Sequence, residues 1–229
     1  MPIIHDEEFG KITIRRSPKA TQVRIRVAPD GLLRASLPLY APIFLVKRLV
    51  KNSRDELRTI ILQSQSTETY TDGMRIGKSH TLIVRRSTTV KVSRHGQQII
   101  ATVPTGKDIN DGDINRMVRD VVINALRIEA KSYLPKRLSY IAAKYGYNYQ
   151  KVRFSHASGR WGSCSSNGTI SLNIALMKLP FELIDYVLIH ELSHTRHMNH
   201  STEFWALVSV ADTNYRVHRR LLKSENPSI

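Results

Sequence analysis

The chain has 229 residues, of which 41% are hydrophobic and 24% charged, a balance typical of a folded globular protein and unlike a disordered one. Its 35 lysines and arginines outnumber 19 aspartates and glutamates, and the formal charge of +16 favours anionic partners such as nucleic acid. The single cysteine, Cys164, excludes an internal disulfide framework. Residues 1–10 lack the apolar segment of a secretory signal, and the most apolar run, 37–46, is too short to span a bilayer, so we expect a cytoplasmic protein without a membrane partner.

The first hundred residues show the pattern of a duplicated β-β-β-α unit. Alternating apolar residues predict strands at 12–17, 23–27 and 32–37 in the first copy, and at 82–87, 90–92 and 99–103 in the second. Pro29-Asp30-Gly31 predicts a turn, and a helix is expected over 42–63. The second copy follows 66–70 residues later, which indicates an internal repeat.

The rest of the chain predicts helices around a small sheet. A long helix starts near Asp108 or Asp111 and runs to Tyr145, and Pro135 is expected to kink or break it and leave a segment over 136–144. A strand at 152–154 precedes a hairpin around Asn167-Gly168, whose second strand covers 169–176. Helices are then expected over 181–197 and 201–222. The fold class is therefore α+β, with a β-rich accessory region at 1–105 and a second domain at 106–229.

The segment His190-Glu191-Leu192-Ser193-His194 is the strongest chemical signal in the chain. It has the HExxH pattern and follows an apolar helical stretch, where two histidines and a glutamate are costly without a purpose. Residues i and i+4 share one face of a helix, so both imidazoles can reach one zinc ion. Glu191 lies about 100° around the helix and can act as the general base that deprotonates a metal-bound water.

A catalytic zinc needs a third protein ligand, and two histidines follow the motif. His197 would lie about 10.5 Å along a straight helix from His190, which is too far for one ion to bind both together with His194. His200 comes after a break expected at Met198-Asn199 and can turn back towards the pair. We therefore expect His200 as the third ligand and His197 in a supporting or surface position.

At these residues the sequence resembles the YgjP-like zinc metallopeptidases, relatives of the SprT-like and Wss-like metalloproteases. The match runs from His190 through His200-Ser201-Thr202-Glu203-Phe204-Trp205. A second matching stretch is Arg160-Trp161-Gly162-Ser163-Cys164-Ser165, followed by Gly168-Thr169-Ile170 and Asn173. The resemblance implies that residues 106–229 form a minimal zincin-like metallopeptidase core, with helices and a small antiparallel sheet. It also implies peptide-bond hydrolysis with one Zn²⁺ per chain. It also leaves open a metal-dependent nucleotide pyrophosphatase.

The second stretch indicates where a substrate would bind. A hairpin beside the metal helix could pair its edge strand with an extended peptide, with Trp161 as a wall of the cleft. Arg160, Trp161, Gly162, Ser163 and Asn173 are therefore candidate substrate-binding residues. Arg160 and Tyr215 are candidates for stabilising an oxyanion. Cys164 is expected to pack in the core, although a nucleophilic pair with His156 is conceivable.

Three functions remain open at this point. The first is a zinc peptidase acting on peptides or proteins, including proteins held on nucleic acid by a basic surface. The second is the nucleotide pyrophosphatase, although the chain has no glycine-rich phosphate loop. The third is a nucleic-acid-binding protein with a closed structural zinc site, in which His156 would be the fourth ligand. The alternating Arg24, Arg26 and Arg34 could give the accessory region a charged sheet face.

Overall fold

The computed structural model describes residues 2–18, 20–28, 32–64 and 69–229. Contacts along the chain divide it into two compact units, Met1–Glu68 and Thr69–Ile229. Helices accompany three small mixed sheets, which confirms the α+β class. Among the described residues, no helix is both long and apolar enough to span a membrane.

The first unit is a four-stranded sheet with two helices on one face. Its strands are β1 (Ile3–Asp6), β2 (Gly10–Arg16), β3 (Arg24–Val27) and β4 (Leu33–Leu37), and its helices are α1 (Phe44–Asn52) and α2 (Arg54–Ser64). The sheet order is β1-β2-β4-β3, with β2 parallel to β4 and the other pairs antiparallel. Alternate strand residues such as Ile12, Ile14 and Leu37 pack against Val46 and Val50 of α1, as the period-2 pattern requires.

The second unit begins with a sheet of the same topology. Its strands are β5 (Arg75–Ile76), β6 (His80–Ser87), β7 (Lys91–His95) and β8 (Gln98–Pro104), in the order β5-β6-β8-β7. Again the central pair, β6 and β8, is parallel and the outer pairs are antiparallel. The predicted duplication is therefore present in the fold. Each copy also has an N-terminal edge strand that periodicity did not indicate, because four and two residues are too few to show a period.

One arginine in each copy makes the same contact. Nη1 of Arg16, at the end of β2, donates to the carbonyl of Pro38 (3.3 Å), just after β4. Nη1 of Arg86, near the end of β6, donates to the carbonyl of Pro104 (3.3 Å), at the end of β8. The repeat therefore preserves a hydrogen bond near the end of the parallel strand pair, as well as the strand order.

Two predictions about the helices of the repeats are corrected by the structure. The helix expected over 42–63 is two helices, because the chain leaves helical geometry at Ser53 between α1 and α2. The turn predicted at Pro29-Asp30-Gly31 lies outside the described residues. The break expected at Pro135 is absent, since α3 runs unbroken over Gly112–Tyr145. The neighbouring Leu134 and Leu138 are fully buried. The free energy gained by burying that face of the helix exceeds the cost of the one backbone hydrogen bond that proline removes.

The third sheet and the last helices follow α3. The sheet contains β9 (Lys151–Ser155), β10 (Gly162–Cys164) and β11 (Thr169–Asn173), and it leads through the 3₁₀ turn Ile174–Lys178 to α4 (Phe181–Ser193), α5 (Thr202–Ala211) and α6 (Tyr215–Ser224). The small sheet expected to be antiparallel is mixed, because β11 is antiparallel to β10 and parallel to β9. β10 is an edge strand.

The helix predicted over 201–222 is also two helices. α5 ends at Ala211, and the side chain of Asp212 holds the connection by accepting from the backbone N–H of Asn214 (3.0 Å) and contacting Nδ1 of His218 (2.7 Å). A short aspartate side chain that binds the backbone two residues ahead favours a turn over a helix. The predicted functional division between 1–105 and 106–229 stays a prediction.

A buried carboxylate fixes the turn between β5 and β6 to α3. Glu129, 7% exposed, accepts from the backbone N–H groups of Lys78 (2.7 Å) and Ser79 (2.8 Å) and contacts Nδ1 of His80 (2.6 Å). Burial acts to raise the pKa of Glu129, but these hydrogen bonds hold it below its usual value. Gly77 leaves the necessary space, since a Cβ there would lie 2.2 Å from Oε2 of Glu129.

We expect Glu129→Gln to lower the free energy of unfolding by about 2 kcal/mol or more, because an amide NH₂ would face buried N–H donors. Chemical denaturation measures the difference. Glu225→Gln, at an exposed position, is the control and should change stability by less than about 0.5 kcal/mol. A similarly small loss for Glu129→Gln would contradict the structural role of the carboxylate.

Candidate metal centre

The histidine motif lies at the C-terminal end of α4, a helix that is apolar on most of its surface. Pro180 precedes its first turn, and residues such as Ile184, Leu188 and Leu192 are fully buried. The helix predicted to reach 197 ends at Ser193, because the next turns tighten to i→i+3 bonds such as Thr195 N–H to the carbonyl of Leu192 (3.0 Å). This earlier end gives the chain room to turn back before α5.

Three histidines meet at this turn. His190, His194 and His200 each bring a ring nitrogen to within 4.8 Å of the other two. Nε2 of His190 and Nε2 of His200 are 3.1 Å apart, close to the roughly 3.3 Å expected for two nitrogens on one tetrahedral zinc. His197 contributes its backbone instead: its carbonyl accepts from Nδ1 of His194 (3.0 Å), so Nε2 of His194 is the atom that could bind a metal.

The environment keeps two of these imidazoles in the neutral, metal-binding form. Burial lowers the pKa of His190 to about 3, with smaller contributions from His194, His200 and the charge of Arg219. Burial also lowers the pKa of His194, partly offset by its bond to His197. Neutral imidazole is the form that binds a metal, so the cluster is prepared for a cation at neutral pH.

Trp205 holds the exposed His200 in place. The rings of His200 and Trp205 stack at 5.6 Å and 25°, and Tyr215 stacks on Trp205 at 5.5 Å and 20°. The guanidinium of Arg219 lies 4.6 Å from the centre of the indole ring. His200 alone among the three histidines is exposed, so this stack fixes a side chain that would otherwise sample several rotamers.

Glu191 lies beside the cluster in a space that Gly162 provides. The residue is 6% exposed, and its Oε2 has no hydrogen-bond partner among the described residues. A Cβ at Gly162 would lie 2.7 Å from Oε1 and 2.8 Å from Cγ of Glu191. The edge strand β10 therefore approaches the carboxylate this closely because residue 162 has no side chain.

Burial raises the pKa of Glu191 to about 8, and the charge of Arg160 acts in the opposite direction. A buried carboxyl group without a partner is costly in a purely structural setting and is typical of a functional site. The positive charge of an ion held by the three histidines would favour the ionised carboxylate. The donor set and the unpartnered oxygen beside it therefore fit a bound metal.

The other predicted site residues have separate positions. Trp161 and Ser163 are half-buried around β10, and Ser163 pairs with Ser171 in the hairpin. Asn173 is fully buried: its Nδ2 donates to the carbonyls of Ala157 (2.6 Å) and Arg160 (3.0 Å), and its Oδ1 accepts from Ala175 N–H (3.0 Å). Its contacts hold the loop before β10.

The remaining alternatives find no support in the geometry. No hydrogen bond joins Cys164 to His156 within the described part of the chain, and burial raises the pKa of the Cys164 thiol to about 11, which disfavours a thiolate nucleophile. His156 is not part of the histidine cluster found among the described residues. The phenol of Tyr215 accepts from Nε of Arg216 (3.2 Å) and its ring stacks on Trp205.

The contacts of Trp205 and Gly162 with the site were not predicted. The sequence contained both residues in the matching stretches, but stacking on His200 and close approach to Glu191 depend on tertiary placement. No spacing rule would have found either contact.

Comparison with known proteins agrees with the resemblance stated from the sequence. The family described as the YgjP-like metallopeptidase domain matches residues 21–225. A search of curated proteins finds no match. Among solved structures, the crystal structure of the metallopeptidase zymogen of Pyrococcus abyssi abylysin is similar, with 26% identity over 39% of this chain and 92% of that chain and a TM-score of 0.36.

We expect Trp205→Ala to weaken zinc affinity by about 10- to 100-fold, because His200 loses the ring that orients it. Competition with a chromogenic chelator measures the affinity. His200→Ala is the reference and should lose most of the zinc, whereas Val210→Ala, at a 73% exposed position on the same helix, should bind as wild type does. Unchanged affinity in Trp205→Ala would show that the stack does not position the ligand.

We expect Gly162→Ala to retain the metal but lose at least about tenfold in hydrolytic rate, because the new methyl group displaces the Glu191 carboxylate. Gly159→Ala is the matched control: it lies in the same loop, and a Cβ there meets nothing within 4 Å. Equal rates for the two variants would contradict the close contact.

Proposed function

The chain belongs to the YgjP-like metallopeptidase family, and on that premise we propose that it is a zinc-dependent peptidase with Glu191 as general base. The observation that carries the proposal is the buried, unpartnered Oε2 of Glu191 beside the three-histidine cluster. A structural metal site would need four protein ligands and no base, and the described residues supply three clustered histidines.

His190, His194 and His200 would hold the metal, for which we propose zinc because imidazole nitrogens suit it. When bound, zinc supplies Lewis-acid polarisation of the substrate carbonyl and lowers the pKa of water. Nδ1 of His194 keeps its proton through the bond to the His197 carbonyl, so its orientation is set before the metal binds.

Glu191 would take a proton from the attacking water and pass it to the leaving amine of the peptide. Burial serves this role, since the carboxylate is kept from bulk water and its affinity for a proton is raised. Gly162 keeps the carboxylate in place against β10. The side chain therefore does not have to reorganise when substrate arrives.

The edge of β10 would bind the peptide. The strand has β11 on one side and no strand on the other among the described residues, so an extended substrate can add to the sheet there. Gly162 belongs to β10 and contacts Glu191, which places a paired substrate beside the general base. Trp161, half-buried next to this strand, would form one wall of the cleft, and Arg160 lies near enough to act on Glu191 electrostatically.

Glu191→Gln should keep zinc and the fold but lower the rate of hydrolysis by about 10²- to 10⁴-fold, since the amide cannot accept the proton. Fluorescently labelled, denatured casein is the substrate, and zinc content is measured by elemental analysis of the same samples. Retained casein hydrolysis with zinc present would exclude Glu191 as the base.

The same samples are tested with a panel of nucleoside triphosphates. Pyrophosphate release by wild type, lost in Glu191→Gln, with casein untouched would replace the peptidase by a nucleotide pyrophosphatase at the same residues. Release by both proteins would indicate a contaminating activity and leave the peptidase assignment to the casein result.

A further inference from the structure

The last helix, α6, has a row of basic residues along one side. Four of them have the spacing i, i+3, i+4 and i+7, which places them on one face of the helix: Arg216, Arg219, Arg220 and Lys223. All four are exposed, and the row is here called the basic stripe. The inward face of α6 is formed by the half-buried Tyr215, His218 and Leu222. The helix therefore presents four positive charges outwards.

Acidic side chains near α6 do not neutralise the basic stripe. Glu182, Asp185 and Asp212 line a cavity together with His218, which lies about 150° around the helix from the middle of the stripe. Within the part of the chain that the structure describes, none of the four basic residues forms an ion pair, either with Glu225 after the last turn or with another carboxylate. The charge of the stripe is therefore available to a partner.

Arg219 connects the basic stripe to the metal centre. Its guanidinium lies 4.6 Å from the centre of the indole ring of Trp205, and that ring stacks on His200 at 5.6 Å. The rings of Trp205 and His190 are 5.9 Å apart. The stripe therefore begins one side chain away from the cluster of histidines.

The basic stripe and the edge strand β10 lie on opposite sides of the metal centre. A Cβ on Gly162 of β10 would contact Glu191, the residue after His190. In the other direction, the ring of Tyr186 lies 6.0 Å from that of His190 and 6.4 Å from that of His218 on α6. Because successive residues of a helix are rotated by about 100°, Glu191 lies about 80° to one side of the two histidines of α4, and Tyr186 about 60° to the other. An extended chain that leaves β10 and crosses the metal centre would therefore reach α6.

We propose that the basic stripe binds acidic side chains of the peptide substrate, so that the enzyme prefers sequences with aspartate or glutamate beside the cleaved bond. This inference rests on the peptidase assignment and adds a substrate class to it. Residues three or four apart on a helix have Cβ atoms about 5–6 Å apart, and alternate residues of an extended chain are about 6.6 Å apart. Carboxylates at alternate substrate positions can therefore face successive basic residues of the stripe.

The other anionic partners fit α6 less well. Two apolar residues, Val217 and Leu221, are exposed on the same helix, as a helix that lies on a membrane surface requires. Two such residues on a ten-residue helix offer little apolar area for insertion into lipid. A peptide is favoured over nucleic acid because the stripe adjoins the metal centre and the edge strand, where the substrate peptide would bind.

The test uses the full-length, zinc-loaded protein and fluorescently labelled, denatured casein that has been dephosphorylated, so that its negative charge comes from carboxylates. In a second preparation the carboxyl groups of the casein are methylated, which removes that charge. The stripe variant is Arg220→Gln combined with Lys223→Gln. Lys131→Gln combined with Lys136→Gln removes the same charge from exposed positions on α3 and is the control. Circular dichroism and zinc content confirm that each protein is folded and loaded.

The stripe variant should raise KM for unmodified casein by about three- to tenfold and leave kcat unchanged, because exposed ion pairs contribute modestly and here only to binding. For methylated casein, the wild type and the stripe variant should have the same KM. Salt should raise the wild-type KM for unmodified casein more steeply than that of the variant. The control should match wild type throughout.

Binding without cleavage separates this proposal from the peptidase assignment. Anisotropy measures the affinity of zinc-loaded Glu191→Gln for a labelled peptide of alternating glutamate and alanine, with a peptide of alternating glutamine and alanine as reference. Adding the two stripe substitutions should weaken binding of the acidic peptide by about three- to tenfold and leave the reference unchanged. If wild type cleaves no casein but these affinities hold, the peptidase assignment fails and the stripe remains a site for acidic peptides.

Three results would overturn the proposal. The first is an unchanged KM for unmodified casein and an unchanged affinity for the acidic peptide in the stripe variant. The second is an equal loss with methylated casein or in the control, which would show an effect of packing or of total charge. The third is tighter binding, dependent on the stripe, to single-stranded or duplex DNA or to phosphatidylserine vesicles than to the acidic peptide.

Discussion

The approach of a carboxylate to a glycine determines the arrangement of the metal centre. Glu191 is buried at the end of α4, and β10 can lie against it because Gly162 has no side chain. This contact joins the helix that carries two of the clustered histidines to the edge strand that would bind substrate. Asn173 supports it from behind by holding the loop before β10. A similar close contact between a glycine and a buried carboxylate joins Gly77 to Glu129, where it fixes a turn to α3.

The duplicated unit shows one topology in two different settings. In both copies the two central strands of the sheet are parallel to each other. In both, an arginine near the end of that central pair donates a hydrogen bond to a backbone carbonyl. In the second copy the sheet packs with α3, which belongs to the unit that contains the metal centre. In the first copy the helices cover one face and leave five basic residues on the other. The difference lies in the outward residues, which folding leaves free to vary.

Sequence reasoning predicted the repeat, the metal helix and the α+β class, because apolar periodicity and the spacing of His190 and His194 report local geometry. The third histidine was predicted from the distance that one ion can bridge between residues along the chain, and His200 lies in the cluster as expected. Element ends were less predictable: Pro135 lies inside a continuous helix, and α4 stops at Ser193. These outcomes depend on burial of flanking leucines and on the turn chemistry after the helix. The contacts of Gly162 and Trp205 connect distant segments, which no local pattern encodes.

The most direct test of the account is the position of the metal in crystals of zinc-loaded protein, located by anomalous diffraction at the zinc absorption edge. We predict one peak per chain, bonded to Nε2 of His190, His194 and His200, with the Glu191 carboxylate beside it and not bonded to it. A peak that takes Glu191 as a direct ligand, or one that omits His200, would contradict the three-histidine site and the general-base role together.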